Sequence, residues 1–247
     1  AAITRLKNND QHVVENLTRV GVDMFPTYTD HSTHIELIYP GDDFDERTLI
    51  MPKSAGSFTP DQFENIDSKI FLVNASIRNE FRLETLFDLK KKGSLIGIDL
   101  QGFIRTRDSN NVLINSPWEE KEEALGLTDY LKADGVEAEF LTGESDLVSA
   151  AKILKSYGPK EIIITHKDGV LVYADNQIFE EPFKLEKIIG RSGRGDTCGA
   201  SYVYMRLTSD PGESTKWAAA TTSLKMESDT PLKRTKHEIE DRVNEYK

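Results

Sequence analysis

Only one cysteine, Cys198, occurs in the 247 residues, and no uninterrupted apolar run approaches the roughly 20 residues that a membrane helix needs. An intrachain disulfide is therefore excluded, and a reducing cytoplasm is the simplest compartment. Positive charge is also scarce: 31 Lys and Arg stand against 42 Asp and Glu, a formal net charge of −11. Nucleic acid and anionic membranes both require a broad basic face, so neither is expected as a partner, and any anionic substrate must be met by a local positive site. Internal repeats and low-complexity segments are absent. The length and the 38% hydrophobic content suit one large core with at most a small appendage.

Along the chain, Ala1-Ala2-Ile3-Thr4-Arg5-Leu6 reads as the interior of a helix, with a segment expected upstream. Val13, Val14, Leu17 and Val20 follow helical spacing up to Gly21, and Thr33, Ile35 and Leu37 then alternate as a strand. Gly41-Asp42-Asp43 makes a polar turn and Arg47 to Met51 a second strand, so 29–52 reads as a two-stranded appendage that must lean on something. Residues 1–28 and 53–247 form the core. Strands at 70–73, 94–100, 130–133 and 161–165 alternate with helices through Leu83, Leu86 and Leu89 and over 146–157, the rhythm of a parallel sheet. Turns at Asp168-Gly169 and Asp175-Asn176 bracket Val170 to Ala174 as an antiparallel edge. Two or three helices finish the chain, the last announced by the capping box Thr235-Lys236-His237-Glu238.

The most informative stretch is Gly190-Arg191-Ser192-Gly193-Arg194-Gly195-Asp196-Thr197, three glycines in six residues before an apolar helical pattern. Unpaired first-turn amides and the helix dipole make such a place an anion site, and glycine lets the backbone come close. The spacing imitates a Walker A loop, but Asp196 holds the lysine position. A carboxylate there would repel phosphate unless it has another task, such as taking the proton of an incoming hydroxyl. An aspartate at this position can equally cap the helix while the glycines merely turn the chain.

Gly193-Arg194-Gly195-Asp196-Thr197 followed by Ala200 resembles the second signature, G-A-G-D-[TS]-F, of the PfkB, or ribokinase-like, carbohydrate kinases. Lys132 to Gly143 resembles that family's N-x-x-E segment, and Thr165 to Val172 its threonine and glycine nucleotide strand. The resemblance implies a three-layer α/β/α sandwich with a mostly parallel central sheet and a small β lid at 29–52, transferring the γ-phosphate of ATP to a hydroxyl of a sugar, polyol or nucleoside. It implies Asp196 as catalytic base, an anion hole of Gly193, Arg194 and Gly195, and Glu137 with Asp134 around Mg²⁺. Thr165 and Gly169 would lie near the nucleotide, and Ala219, Ala220 and Ser223 near the adenine. Arg47 falls on the lid's returning strand. Asp99, with Arg105 after it, matches an aspartate that either supports the acceptor site or ends a strand.

Several positions depart from the family pattern. Arg194 replaces an alanine, Asp134 an asparagine and Cys198 a phenylalanine, and Thr165-His166-Lys167-Asp168-Gly169 is one residue shorter than T-x-G-x-x-G. The family's first strand, with its acceptor-binding aspartate, is not in the sequence, which is expected to join pieces of a longer chain. A nucleotide- or sugar-binding protein that kept the fold without turnover is the alternative, favoured by the short Thr165 to Gly169 segment and opposed by Asp196 and Glu137. His31 and His34 lack a third partner and read as exposed polar residues, Trp118 and Trp217 as core. A homodimer through the lid strands is a further expectation, because an exposed strand pair invites pairing. Asn16-Leu17-Thr18 and Asn74-Ala75-Ser76 match the glycosylation triplet, which chance also produces.

Overall fold

The structure, a computed structural model, describes residues 1–41 and 47–246. In chain order the elements are β1 (Ala2–Lys7), α1 (His12–Arg19), β2 (Met24–Thr29), β3 (His34–Ile38), β4 (Thr48–Lys53), β5 (Ile70–Val73), α2 (Leu83–Lys91), β6 (Leu95–Asp99) and α3 (Gln101–Ile104). Then come β7 (Arg105–Arg107), β8 (Leu113–Asn115), α4 (Lys121–Gly126), β9 (Tyr130–Asp134), α5 (Gly135–Thr142), α6 (Leu147–Ser156), β10 (Glu161–Thr165), β11 (Gly169–Ala174), β12 (Gln177–Pro182), α7 (Arg194–Arg206), α8 (Pro211–Met226) and α9 (Lys236–Val243).

Six strands make the central sheet in the order β12-β11-β10-β9-β6-β5, with β5, β6, β9 and β10 parallel and β11 and β12 antiparallel to their neighbours. Consecutive residues of β10 show why it is a three-layer structure. Ile162 and Ile164 join one core with α2, α4 and α6, whereas Ile163 joins the other with Cys198, Tyr202 and Ala218 of α7 and α8. All three isoleucines are fully buried, each contributing about 2 kcal/mol of apolar transfer. Trp118 is buried in the first of these cores and Trp217 in a small third cluster with Leu224 and Ile239, so both pack inside the chain as expected.

The first residues depart from the helical expectation. Ala2–Lys7 is a strand, paired in parallel with β2 outside the central sheet. β-branched Ile3 and Thr4 and the turn of chain through α1 favour this βαβ arrangement over a helix, and β2 itself went unread. Val170 to Ala174 is antiparallel as expected but is not the edge. β12 pairs along its whole length and forms the border of the sheet. The strand pair β3 and β4 is present, while 42–46 of the expected turn lie outside the described residues. β4 leans on the unanticipated β7–β8 hairpin, through the Met51 amide to Asn111 O at 2.9 Å and the Ile50–Val112 bridge.

Candidate active site

The carboxyl ends of β5, β6, β9 and β10 open on the same side of the sheet, where helix termini and loops place reactive groups. Asn74, Asp99, Asp134 and Thr165 stand there, and the N-terminus of α7 covers them. Gly193 caps that helix with φ of 78°, a left-handed conformation that glycine adopts without strain. A Cβ on Gly195 would lie 2.6 Å from Lys132 Nζ and 2.8 Å from Lys132 Cε, so the lysine runs directly beneath the first turn of α7. The first-turn amides, which no helical carbonyl can reach, therefore share their space with an ammonium.

Lys132 is buried in β9 and its Nζ lies 3.0 Å from Asp99 Oδ2 and 4.0 Å from Glu137 Oε2. Burial opposes its charge, but the carboxylates of Asp99 and Glu137 outweigh that and hold its pKa above the ordinary lysine value. Burial likewise raises Asp99, against the pull of Lys132. Glu137 is pushed up to about 7 by burial, again against Lys132. It accepts from Arg105 at 3.0 Å and from the Asp134 amide at 2.8 Å, while its own amide donates to Asp134 Oδ1 at 2.8 Å. Asp134 and Glu137 thus form a capping box that starts α5, and the same box presents Asp134 to the site.

A cavity of about 560 Å³ opens over these groups, lined by Gly193, Arg194, Gly195, Asp196, Asp134, Glu137 and Thr165. Arg47, Arg105, Lys132, Lys167, Arg191 and Arg194 all reach it, which is the local positive site that a chain of net charge −11 needs for an anionic substrate. Lys225 approaches from behind. It is buried in α8, its Nζ donates to Ser228 O at 3.2 Å, and its Cε would be 3.7 Å from a Cβ on Gly193.

Other expected residues sit elsewhere. Asp99 lies beneath the site, paired with Lys132, and does not line the cavity. Gly169 is in the β10–β11 hairpin, where a Cβ would meet Glu181 O at 2.4 Å, so close strand packing accounts for the glycine. Ala219, Ala220 and Ser223 are wholly buried in α8. The Ser223 hydroxyl is taken up by Ala219 O, the Lys184 amide and Tyr246 Oη, so that face of α8 is covered by the chain itself.

A second cavity, about 550 Å³, lies between β1, the start of α1 and the loops that follow β4 and β5, and is lined by Arg5, Asp10, His12, Ser32, Thr33, Asn74 and Glu80 among others. Buried Glu80 accepts from the Ser76 amide at 2.7 Å and from Thr33 Oγ1 at 3.2 Å, tying the root of β3 to the loop after β5. Asn74 Nδ2 in that loop donates to Asp196 Oδ1 at 3.0 Å, so the two cavities meet at this pair.

The sequence pattern of the pfkB family of carbohydrate kinases matches residues 7–230. The chain belongs to that family. Its fold is ribokinase-like, and several relatives show how widely it is shared. A pyrophosphate-dependent kinase of the ribokinase family, solved with sulfate, is 34% identical with a TM-score of 0.88 over 96% of this chain and 84% of that one. A pyrophosphate-dependent kinase of the same family complexed with a pyrophosphate analog and myo-inositol is 32% identical, with a TM-score of 0.88 over 97% and 84% of the two chains. Arabidopsis thaliana ribokinase with ribose and ATP shares the fold at 16% identity and a TM-score of 0.75, over 98% and 80% of the chains. Among curated proteins, the cytidine kinase of Thermococcus kodakarensis is 28% identical over 195 residues, 74% of this chain but 63% of that protein's length.

Lys132, Lys225 and Asn74 escaped the sequence reading. A lysine inside the strand Tyr130–Asp134 and another within the small and apolar face of α8 were the available signals, since an unexplained charge in an apolar element needs a partner.

Proposed function

We propose that this pfkB-family chain transfers a terminal phosphoryl group from inorganic pyrophosphate, rather than from ATP, to a hydroxyl of a small polyol. The observation that carries the donor assignment is the lining of the larger cavity: six cationic side chains, few apolar ones, and a sealed face of α8 where the family resemblance places adenine. Pyrophosphate offers only phosphate oxygens, which ammonium, guanidinium and helix amides recognise, and it needs no base pocket. The likeness to pyrophosphate-dependent kinases supports the same reading.

In the proposed reaction the acceptor hydroxyl lies between Asp196 and the terminal phosphorus. Its oxygen forms the new O–P bond as the bridging P–O bond breaks, orthophosphate leaves, and the hydroxyl proton passes to Asp196. Lys132, Arg194 and the first-turn amides of α7 face the charge that spreads over the transferring group. Structures of this fold have been solved with ATP and Mg²⁺. Among the described residues no three His, Cys, Asp or Glu side chains converge as a metal cage. Asp134 nevertheless lines the cavity with only Oδ1 engaged, which suits an ion held chiefly by donor oxygens and water. Asp134 would hold that ion's water, with Glu137 fixing Asp134 in place, and the ion would neutralise donor charge.

The test is phosphomonoester formation followed by ³¹P NMR, with pyrophosphate or ATP at equal concentration, Mg²⁺, and myo-inositol, pentoses or cytidine as acceptors. A kcat/KM at least tenfold larger with pyrophosphate is the expected result. Preference for ATP overturns the donor assignment, and no product from either donor overturns the kinase reading and favours a binding protein of the same fold.

A further inference from the structure

We infer that Asn74 selects acceptors carrying a second hydroxyl on the carbon next to the one phosphorylated, so that the substrate is a vicinal diol and not an isolated or primary alcohol. This inference rests on the assignment of Asp196 as the proton acceptor, and it adds to that reading the class of acceptor and the residue that reads it.

Asn74 Nδ2 donates to Asp196 Oδ1 at 3.0 Å. A carboxylate can only accept, so the amide nitrogen must face it and the amide oxygen must point elsewhere. Asn74 makes no other hydrogen bond among the described residues, which leaves its Oδ1 and one N–H unengaged. Both belong to a side chain that lines the second cavity, the one between β1, α1 and the loops after β4 and β5.

The same bond divides the labour of the Asp196 carboxylate. Oδ1 is occupied by Asn74, whereas Oδ2 lies toward Gly193, where a Cβ would be 4.0 Å away. Oδ2 is therefore the oxygen left to take a proton, and it does so on the side of α7's first turn, where the donor cavity lies. The two cavities meet at the Asn74–Asp196 pair, so an acceptor that fills the second cavity and sets one hydroxyl against Oδ2 passes the Asn74 carboxamide. The first group to pass the Asn74 carboxamide is the substituent on the neighbouring carbon.

A hydroxyl there satisfies the free carboxamide atoms, donating to Oδ1 or accepting from the remaining N–H. A hydrogen or methylene leaves them buried by the substrate without a partner, and sites built to bond a hydroxyl reject analogues lacking it more strongly than apolar pockets reject an added methylene. Ring diols such as cyclitols meet this requirement at every carbon. The primary hydroxyl of a nucleoside meets it only by half, because the ring oxygen on the carbon beside it accepts from the N–H but has no proton to donate to Oδ1. Asn74 is thus a positioning residue for Asp196 and a specificity residue for the acceptor.

The experiment locates the phosphorylated carbon of the myo-inositol product by NMR, then compares myo-inositol with the dideoxy analogue that lacks the hydroxyls on both neighbouring carbons, on the wild-type protein and on Asn74→Ala, by initial rates of phosphorylation at that carbon with pyrophosphate and, without donor, by calorimetric binding. Thermal unfolding of both proteins runs in parallel. Wild type is expected to favour myo-inositol by at least tenfold in kcat/KM over the analogue lacking both hydroxyls that flank the phosphorylated one, with discrimination of the same sense in binding. Asn74→Ala, folded with an unchanged melting temperature, is expected to treat the two within about threefold while its kcat falls. Were the loss merely structural, both acceptors would suffer alike and the wild-type ratio would persist, which overturns the inference. Equal use of the two by wild type, or preference for cytidine over every cyclitol, overturns it too while leaving the kinase reading intact. Binding that discriminates through Asn74 without any turnover upholds the inference and defeats the catalytic reading alone. No binding of myo-inositol, by wild type, overturns it.

Discussion

Lys132 Nζ occupies the space that a side chain at position 195 would need, since a Cβ on Gly195 would lie 2.6 Å from it. Lysine and glycine are thus a matched pair, one on an inner strand and one on the helix that covers it. Gly195→Ala should push the ammonium out of line with the phosphoryl group while leaving the fold intact. The tip of a lysine is flexible, and overpacking of about 1–3 kcal/mol is partly offset by the helix propensity that alanine gains, about 1 kcal/mol. We expect kcat to fall about 100-fold, the scale of a misplacement near 1 Å, with stability changed by only about 1 kcal/mol. Steady-state kinetics beside thermal unfolding measure both.

Lys225 sits behind the same helix terminus and pairs with no carboxylate among the described residues. If its role were only to satisfy the C-terminal end of α8, Lys225→Met would alter stability and nothing else. We expect instead that pyrophosphate binds about tenfold more weakly to Lys225→Met, equivalent to about 1.4 kcal/mol, with the melting temperature nearly unchanged. Isothermal titration calorimetry of wild type and variant decides it.

Asp129, buried at the opposite end of the sheet, offers a test of what holds the fold rather than the site. Burial opposes its ionisation, but Lys160 at 2.7 Å, Lys90 at 2.8 Å and the Ile96 amide outweigh that and hold its carboxyl below the ordinary value of 3.8. A depressed carboxyl stabilises the native state above its unfolded pKa, and that contribution is lost as the pH falls through the folded one. Asp129→Asn should therefore cost about 2 kcal/mol near neutral pH, modest because both lysines reach solvent. The deficit should vanish as the pH is lowered past the folded pKa, below 3.8. Urea unfolding of the pair across that range provides the check.

The contrast between residues such as Ile163 and Lys132 explains how much of this was legible in the sequence. Ile162 to Ile164 form an apolar run that only a doubly covered strand accommodates, and the glycines around Asp196 announce a helix terminus that meets an anion. Periodicity carries both signals. Ala1 to Leu6 reads as helix because six residues that open on two alanines fit either period, and β12 gives no signal because Glu180, Glu181 and Pro182 hide an edge strand's pattern. Lys132, Lys225 and Asn74 owe their importance to what lies across space from them. Asn74 registered in the sequence only as part of a glycosylation triplet, and nothing local could have joined it to Asp196, 122 residues away.

The donor assignment had a legible half. The shortened Thr165 to Gly169 segment marked the phosphate end of the site as unusual, and the structure gives it as a tight hairpin closed by the His166 amide on Gly169 O at 2.9 Å. That Ser223 is covered by Tyr246 and Lys184 depends on the packing of α9's end against α8, which no local pattern encodes.

The central claim is that Asp196 takes the proton of the acceptor hydroxyl. Its most direct test is the rate of phosphomonoester formation from pyrophosphate and the best acceptor, for wild type and Asp196→Asn, with pyrophosphate affinity measured on both. General-base catalysis predicts a fall of about 100- to 10,000-fold in kcat with the donor's Kd within about threefold of wild type. A variant that turns over within tenfold of wild type would show that Asp196 contributes only a favourable charge to the first turn of α7, which Gly193 caps, and would contradict the account.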